Sequence, residues 1–138
     1  MVVKVKREDL IAFGQIRGGE LMELKFADEM TARTEELWKI RREQAEDLAK
    51  LVGGETVDLK LDSATEWGVV VRPLPYLHIY FFLQLYEPEF TNEVRVLFDK
   101  RVNESDIDIA DVYDITRLMS NALVRAAGRI TGSGATRK

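Results

Sequence analysis

The run from Tyr76 to Tyr86, YLHIYFFLQLY, constrains this chain more than any other stretch. It lies between Pro75 and Pro88 and is rich in the aromatic and branched residues that suit pleated surfaces. Read with a period of two, it has two unlike faces. Leu77, Ile79, Phe81, Leu83 and Leu85 make an aliphatic and phenyl face. Tyr76, His78, Tyr80, Phe82, Gln84 and Tyr86 make an aromatic face with polar tips. A strand apolar on both sides has to be central, with helices over it or a partner protein against it.

The N-terminal half supplies an amphipathic pattern. Val2 to Lys6 alternates apolar and basic residues, as a short edge strand does when lysines discourage further pairing. Arg7 to Ile16 is ambiguous, and Gly18 and Gly19 interrupt it. From Glu20 to Leu51, residues Met22, Phe26, Met30, Leu37, Ile40, Leu48 and Leu51 fall near one helical face, widened by Trp38, Ala45 and Ala49. Gly53 and Gly54 end the pattern. An unbroken helix over this span would be about 48 Å long. A domain of this size has a radius of gyration of only about 14 Å. The helix either overruns its domain or bends near Thr31 to Thr34, where propensity is weakest. If it overruns, the stripe of Met22, Phe26, Met30, Leu37, Trp38 and Leu48 is a candidate interface for self-association or a partner protein.

Beyond the glycines, Thr56 to Asp62 alternates as a half-solvated strand, and Trp67 to Arg72 reads as a second. Pro73 to Pro75 imposes an extended crossing into the central strand, whose length calls for a bulge. Glu93 to Asp99 is a fourth strand. A helix follows, capped by Asp108 or Asp111, with Ile109, Val112, Met119, Leu123 and Ala126 on its buried face. The expected architecture is α+β: a long N-terminal helix, a four-stranded antiparallel meander and a C-terminal helix. Residues 1–130 form one domain, and 131–138 a disordered basic tail.

Composition removes several classes of chemistry. The chain has 138 residues and no cysteine, which excludes disulfides, thiolate metal sites and thiol nucleophiles. Its net charge of −4 gives no general drive toward nucleic acid, which is therefore not the expected partner. No apolar run approaches the roughly 20 residues needed to span a bilayer, and a cytoplasmic location follows by default. His78 is the only histidine. It reads either as a general base at a pocket mouth with Tyr76 and Tyr80, or as a satisfied strand histidine, and the latter is favoured because no second relay group accompanies it. The acids Glu104, Asp106, Asp108, Asp111 and Asp114 lack the glycine and terminal glutamate of a calcium loop, and read as helix capping. Gly14 to Gly19 lacks the ending of a phosphate loop. Arg33, Lys39, Arg41 and Arg42 around Trp38 are matched by acids and read as a solvated face. No metal, cofactor or catalytic residue is expected.

Tyr86-Glu87-Pro88-Glu89-Phe90, followed by Glu93 to Asp99 with its Leu-Phe-Asp ending, resembles an uncharacterised domain-of-unknown-function family of anaerobic bacteria and archaea. The likeness spans Leu74 to Ala126. It implies a lineage and, by association, an accessory role, but no mechanism. The expected function is that of a small interaction module, subunit or assembly factor without catalysis of its own. The alternative is a small-molecule binder or enzyme with an aromatic pocket between sheet and helix. Tyr76, His78, Tyr80, Phe82, Gln84 and Tyr86 are the candidate binding face. The competing reading buries that face under the long helix, with Met22 and Met30 as cover.

Overall fold

The structure is a computed structural model and describes residues 2–132. The tail expected to be disordered lies, from residue 133 on, outside the described residues; Thr131 still belongs to a helix.

Ten elements run in chain order: β1 (Val2–Lys4), β2 (Leu10–Ile11), α1 (Glu23–Thr31), α2 (Thr34–Leu37), α3 (Ala45–Leu51), β3 (Glu55–Asp58), β4 (Thr65–Leu74), β5 (Leu77–Gln84), β6 (Glu93–Asp99) and α4 (Ile109–Thr131). Short 3-10 turns link several of them. The strands form one mixed six-stranded sheet in the order β1-β3-β4-β5-β6-β2. β1 runs parallel to β3, and every other pairing is antiparallel. This replaces the expected four-stranded meander. The N-terminal residues add a strand to each edge: β1 falls where Val2 to Lys6 alternates, whereas β2, only two residues long, does not announce itself in its pattern.

That pairing forces the sheet to curl. Lys4 leaves one edge and Leu10 joins the other, six residue steps later. Those steps span at most about 21 Å when extended. The 3-10 turn Arg7–Asp9 shortens the reach further. A flat sheet of six strands would set its edges about 24 Å apart. The arm from Val2 to Ile11 therefore holds a rolled sheet together across its open side.

The long N-terminal helix does not form. The stretch from Glu20 to Leu51 breaks twice, around Ala32–Arg33 and again between Trp38 and Arg41. At the first break Thr34 turns inward, and its hydroxyl accepts a hydrogen bond from the Val94 backbone at 3.1 Å. At the second, the Trp67 indole donates to the Ile40 carbonyl at 2.9 Å, and the Arg42 backbone donates to Glu66. At the second break, tertiary partners thus satisfy backbone groups of Ile40 and Arg42 that a continuous helix would have used internally. The gain is burial: Phe26, Met30, Leu37, Ile40 and Leu48 all reach the core, and each such side chain is worth roughly 1.5–3 kcal/mol. Met22 and Trp38 pack against its margin. The stripe offered as an external interface is internal.

β5 sits third from one edge, and its two faces meet different surroundings. Leu77, Ile79, Phe81 and Leu83 join the main core beneath α1–α4, with Val69, Val71, Val94, Val96 and Phe98. Tyr80 and Phe82 join a second, smaller core on the inside of the curl, with Leu10, Val57, Val70 and Leu97. The helices cover the aliphatic face, so Met22 and Met30 do not roof the aromatic one. The bulges fall on β4 rather than within β5: the register shifts between Thr65 and Trp67 and between Val71 and Leu74. Pro75 and Tyr76 make a tight turn between β4 and β5, not an extended crossing. Gly68 lies opposite Phe82, and a Cβ there would meet the phenyl ring at 2.7 Å. In α4, Asp108 is the cap, accepting from the Ala110 backbone at 2.9 Å.

Candidate functional site

The aromatic face of β5 divides into four environments along its length. Tyr76 is exposed at the hairpin tip, beside a shallow apolar recess with Pro75, Leu77 and Ile107. His78 and Tyr80 open onto a basin between the sheet and the N-terminal arm. Phe82 is fully buried in the inner core. Gln84 and Tyr86 form a polar cluster with Asp62 and Thr65 at the far end.

That far cluster is saturated. Thr65 donates to the Gln84 carbonyl at 2.7 Å, Gln84 donates to Asp62 at 2.8 Å, and the Tyr86 hydroxyl donates to the other Asp62 oxygen at 2.7 Å. The Tyr86 hydrogen bond leads the interactions that hold Asp62 below the usual carboxylate range. Every polar atom of Gln84 has a protein partner, which is why the side chain tolerates complete burial. The cluster fastens the loop before β4 to the end of β5.

The basin is different. It encloses about 620 Å3 and is lined by Lys4, Val5, Lys6, Asp9, Arg72, His78, Tyr80, Asp99, Lys100 and Arg101. Its size falls within the roughly 300–1,000 Å3 of small-molecule sites. Three separate parts of the chain converge there. Lys4 and Lys6 come from β1 and the arm, where alternation puts both on one side of extended backbone. Arg72 comes from the second bulge of β4, the kind of irregularity that re-aims a side chain. Lys100 and Arg101 follow β6 in a 3-10 turn whose first backbone groups are capped by Asp99.

Among these cations, three have carboxylate partners. Arg101 grips Asp99 with two guanidinium nitrogens, at 3.0 and 2.8 Å, and with its backbone N–H at 2.9 Å. Arg72 pairs with Glu55 at 2.7 Å, and Lys100 with Asp9 at 3.3 Å. Lys4 and Lys6 have no ion-pair partner among the described residues. Burial raises the Asp99 carboxyl, but the hydrogen bonds from Arg101 outweigh that and hold it below the usual range.

Two ring systems face this charge. Tyr80 is only 3% exposed, yet among the described residues its hydroxyl has no hydrogen-bond partner, and the residue lines the basin. Burial and the nearby Asp99 raise its pKa, so it stays a neutral donor. His78 places Nδ1 3.9 Å from Asp99. Burial lowers its pKa and Arg72 adds to the effect, against the opposing pull of Asp99. The free imidazole is therefore neutral at pH 7, able to donate from one nitrogen and accept at the other.

The less favoured sequence reading set His78 and Tyr80 at a pocket mouth, brought Tyr76 with them, and missed the cations. The alternation of Lys4 and Lys6 was visible, and it reads equally well as protection of a sheet edge. Nothing local signals that Arg72 and Lys100–Arg101 meet them. The other charged stretches are structural. Arg33 contacts Glu29 and Asn121, Arg42 pairs with Glu66, and Arg41 lies over the Trp38 ring. Arg17 in the glycine-flanked segment bonds Asn103 through both backbone and side chain. Among the described residues no group of three or more His, Asp or Glu side chains is placed to hold a metal ion. No described helix is long and apolar enough to cross a membrane.

Comparison with curated proteins and with solved structures gave no match. Comparison with family models gave a match over residues 4–122, which takes in the sheet apart from Val2 and Val3 of β1, and most of α4. The chain belongs to the DUF3786 family, a domain of unknown function.

Proposed function

We propose that this protein binds a small anionic molecule in the basin between its N-terminal arm and the rolled sheet. The observation that carries the reading is that Lys4, Lys6 and Arg72 line one basin with Tyr80, whose hydroxyl has no hydrogen-bond partner among the described residues. A hydroxyl open to a basic cavity is a donor that a ligand acceptor can use. Catalysis is not part of the proposal: among the described residues no serine or threonine lines the basin beside His78, and Asp99 is held by Arg101. The setting proposed is the cytoplasm, from the lack of a long apolar run, of an anaerobic bacterium or archaeon, from the family resemblance alone.

A two-dimensional NMR titration with a panel of anionic and neutral small molecules tests the reading. Anionic members should shift the backbone signals of Val5, Lys6, Arg72, His78 and Asp99 together. A panel that moves only surface signals far from the arm would refute it.

A second reading, the interaction module expected from the sequence, is supported by a different observation. Leu21, Leu24 and Leu118 are large apolar side chains left exposed on the helical side of the molecule, remote in sequence from the basin. Replacing all three by Ser should abolish association with a partner protein without changing ligand binding in the basin.

A further inference from the structure

Resting on the anion-binding reading above, we infer that the ligand of the basin is a phosphate monoester, its phosphoryl group held by Lys4 and Lys6 and its neighbouring oxygen by Tyr80. Charge sets the class. The five cations of the lining face Asp9 and Asp99 within it, and Arg72 is further neutralised by Glu55 outside it. What remains uncompensated is the pair of lysines. A single carboxylate would leave one of them unmatched, whereas a phosphate monoester carries close to two charges at neutral pH.

Geometry narrows it further. Lys4 and Lys6 are two residues apart on extended backbone, a separation of about 6.6 Å at their Cα atoms. Two long flexible side chains from that base can close on one compact group, and they suit it as mobile point charges. A dicarboxylate spreads its charges over separate carbon atoms and needs two separate cation sites. The arginines, whose planar forks suit carboxylates, already grip Asp99 and Glu55. The phosphoryl group fills only part of a 620 Å3 basin, so the ester's organic part lies over Val5 and His78.

Isothermal titration of the full chain at pH 7, with inorganic phosphate and with succinate at matched ionic strength, tests the inference. Phosphate should bind, and succinate should bind about tenfold more weakly or not at all. The double variant Lys4→Gln, Lys6→Gln should weaken phosphate binding by about tenfold or more, because charge-assisted contacts are lost. Tyr80→Phe should weaken it several-fold. Both lysines are exposed, so their variants should melt as the parent does. If succinate binds as well as phosphate, and the same variants weaken both, the phosphate assignment is wrong while the anion basin stands. If neither anion binds, or binding ignores all three substitutions, both readings fall.

Discussion

Phe81 and Phe82 are adjacent and fill opposite cores. The sequence pattern separates their faces correctly but makes Phe82 look peripheral, since its neighbours are tyrosines, a histidine and a glutamine. In the structure both rings are completely buried, Phe81 under the helices and Phe82 inside the curl. Phe81→Ala and Phe82→Ala should each cost about 3–5 kcal/mol in urea melts, where the sequence alone argues for a smaller loss at Phe82. The polar tips misled because they belong to the ends of the strand. His78 offers a second residue-scale prediction. Its folded pKa lies below the unfolded value of 6.5, so the unfolded chain takes up the proton first. The penalty is absent above pH 6.5 and grows as pH falls below it. His78→Gln should therefore narrow the difference between thermal midpoints at pH 7 and pH 5.

At the scale of elements, the helical stretch shows where periodicity misleads. Its apolar spacing from Met22 to Leu51 is real, and every large member but the exposed Leu51 reaches or borders the core. The pattern cannot show that the chain changes direction twice to achieve it. The breaks depend on partners distant in sequence: Val94 for Thr34, and Trp67 for Ile40. Thr34→Val keeps the shape and removes the acceptor, leaving a buried backbone N–H unpaired. It should destabilise by about 1–3 kcal/mol, measured by denaturant titration. On the sheet, Gly68 allows Phe82 to lie against β4. Gly68→Ala should destabilise by about 1–3 kcal/mol through overpacking, and an unchanged melt would show that the ring moves aside freely.

For the whole molecule, what was legible is the α+β class, the central strand with its two faces, the last strand and the capped C-terminal helix. What was not is the rolled mixed sheet, because it hangs on β1 and β2. The alternation of Val2 to Lys6 marks β1 as an edge strand, but the two residues of β2 carry almost no pattern, and the pairing of both is fixed by the reach of the arm. The basin inherits that invisibility, since it exists only where the arm crosses the curl. With the helical stretch folded back on the sheet, small-angle scattering should give a radius of gyration of about 14 Å. The most direct test of a basin that receives anions uses the chain's single histidine as its probe. His78 gives one imidazole Hε1 resonance, which can be titrated by proton NMR with and without saturating inorganic phosphate. The free protein should titrate below 6.5, and phosphate beside Lys4 and Lys6 should raise that pKa by favouring the imidazolium. Identical titration curves in the two conditions would contradict an anion site at the arm.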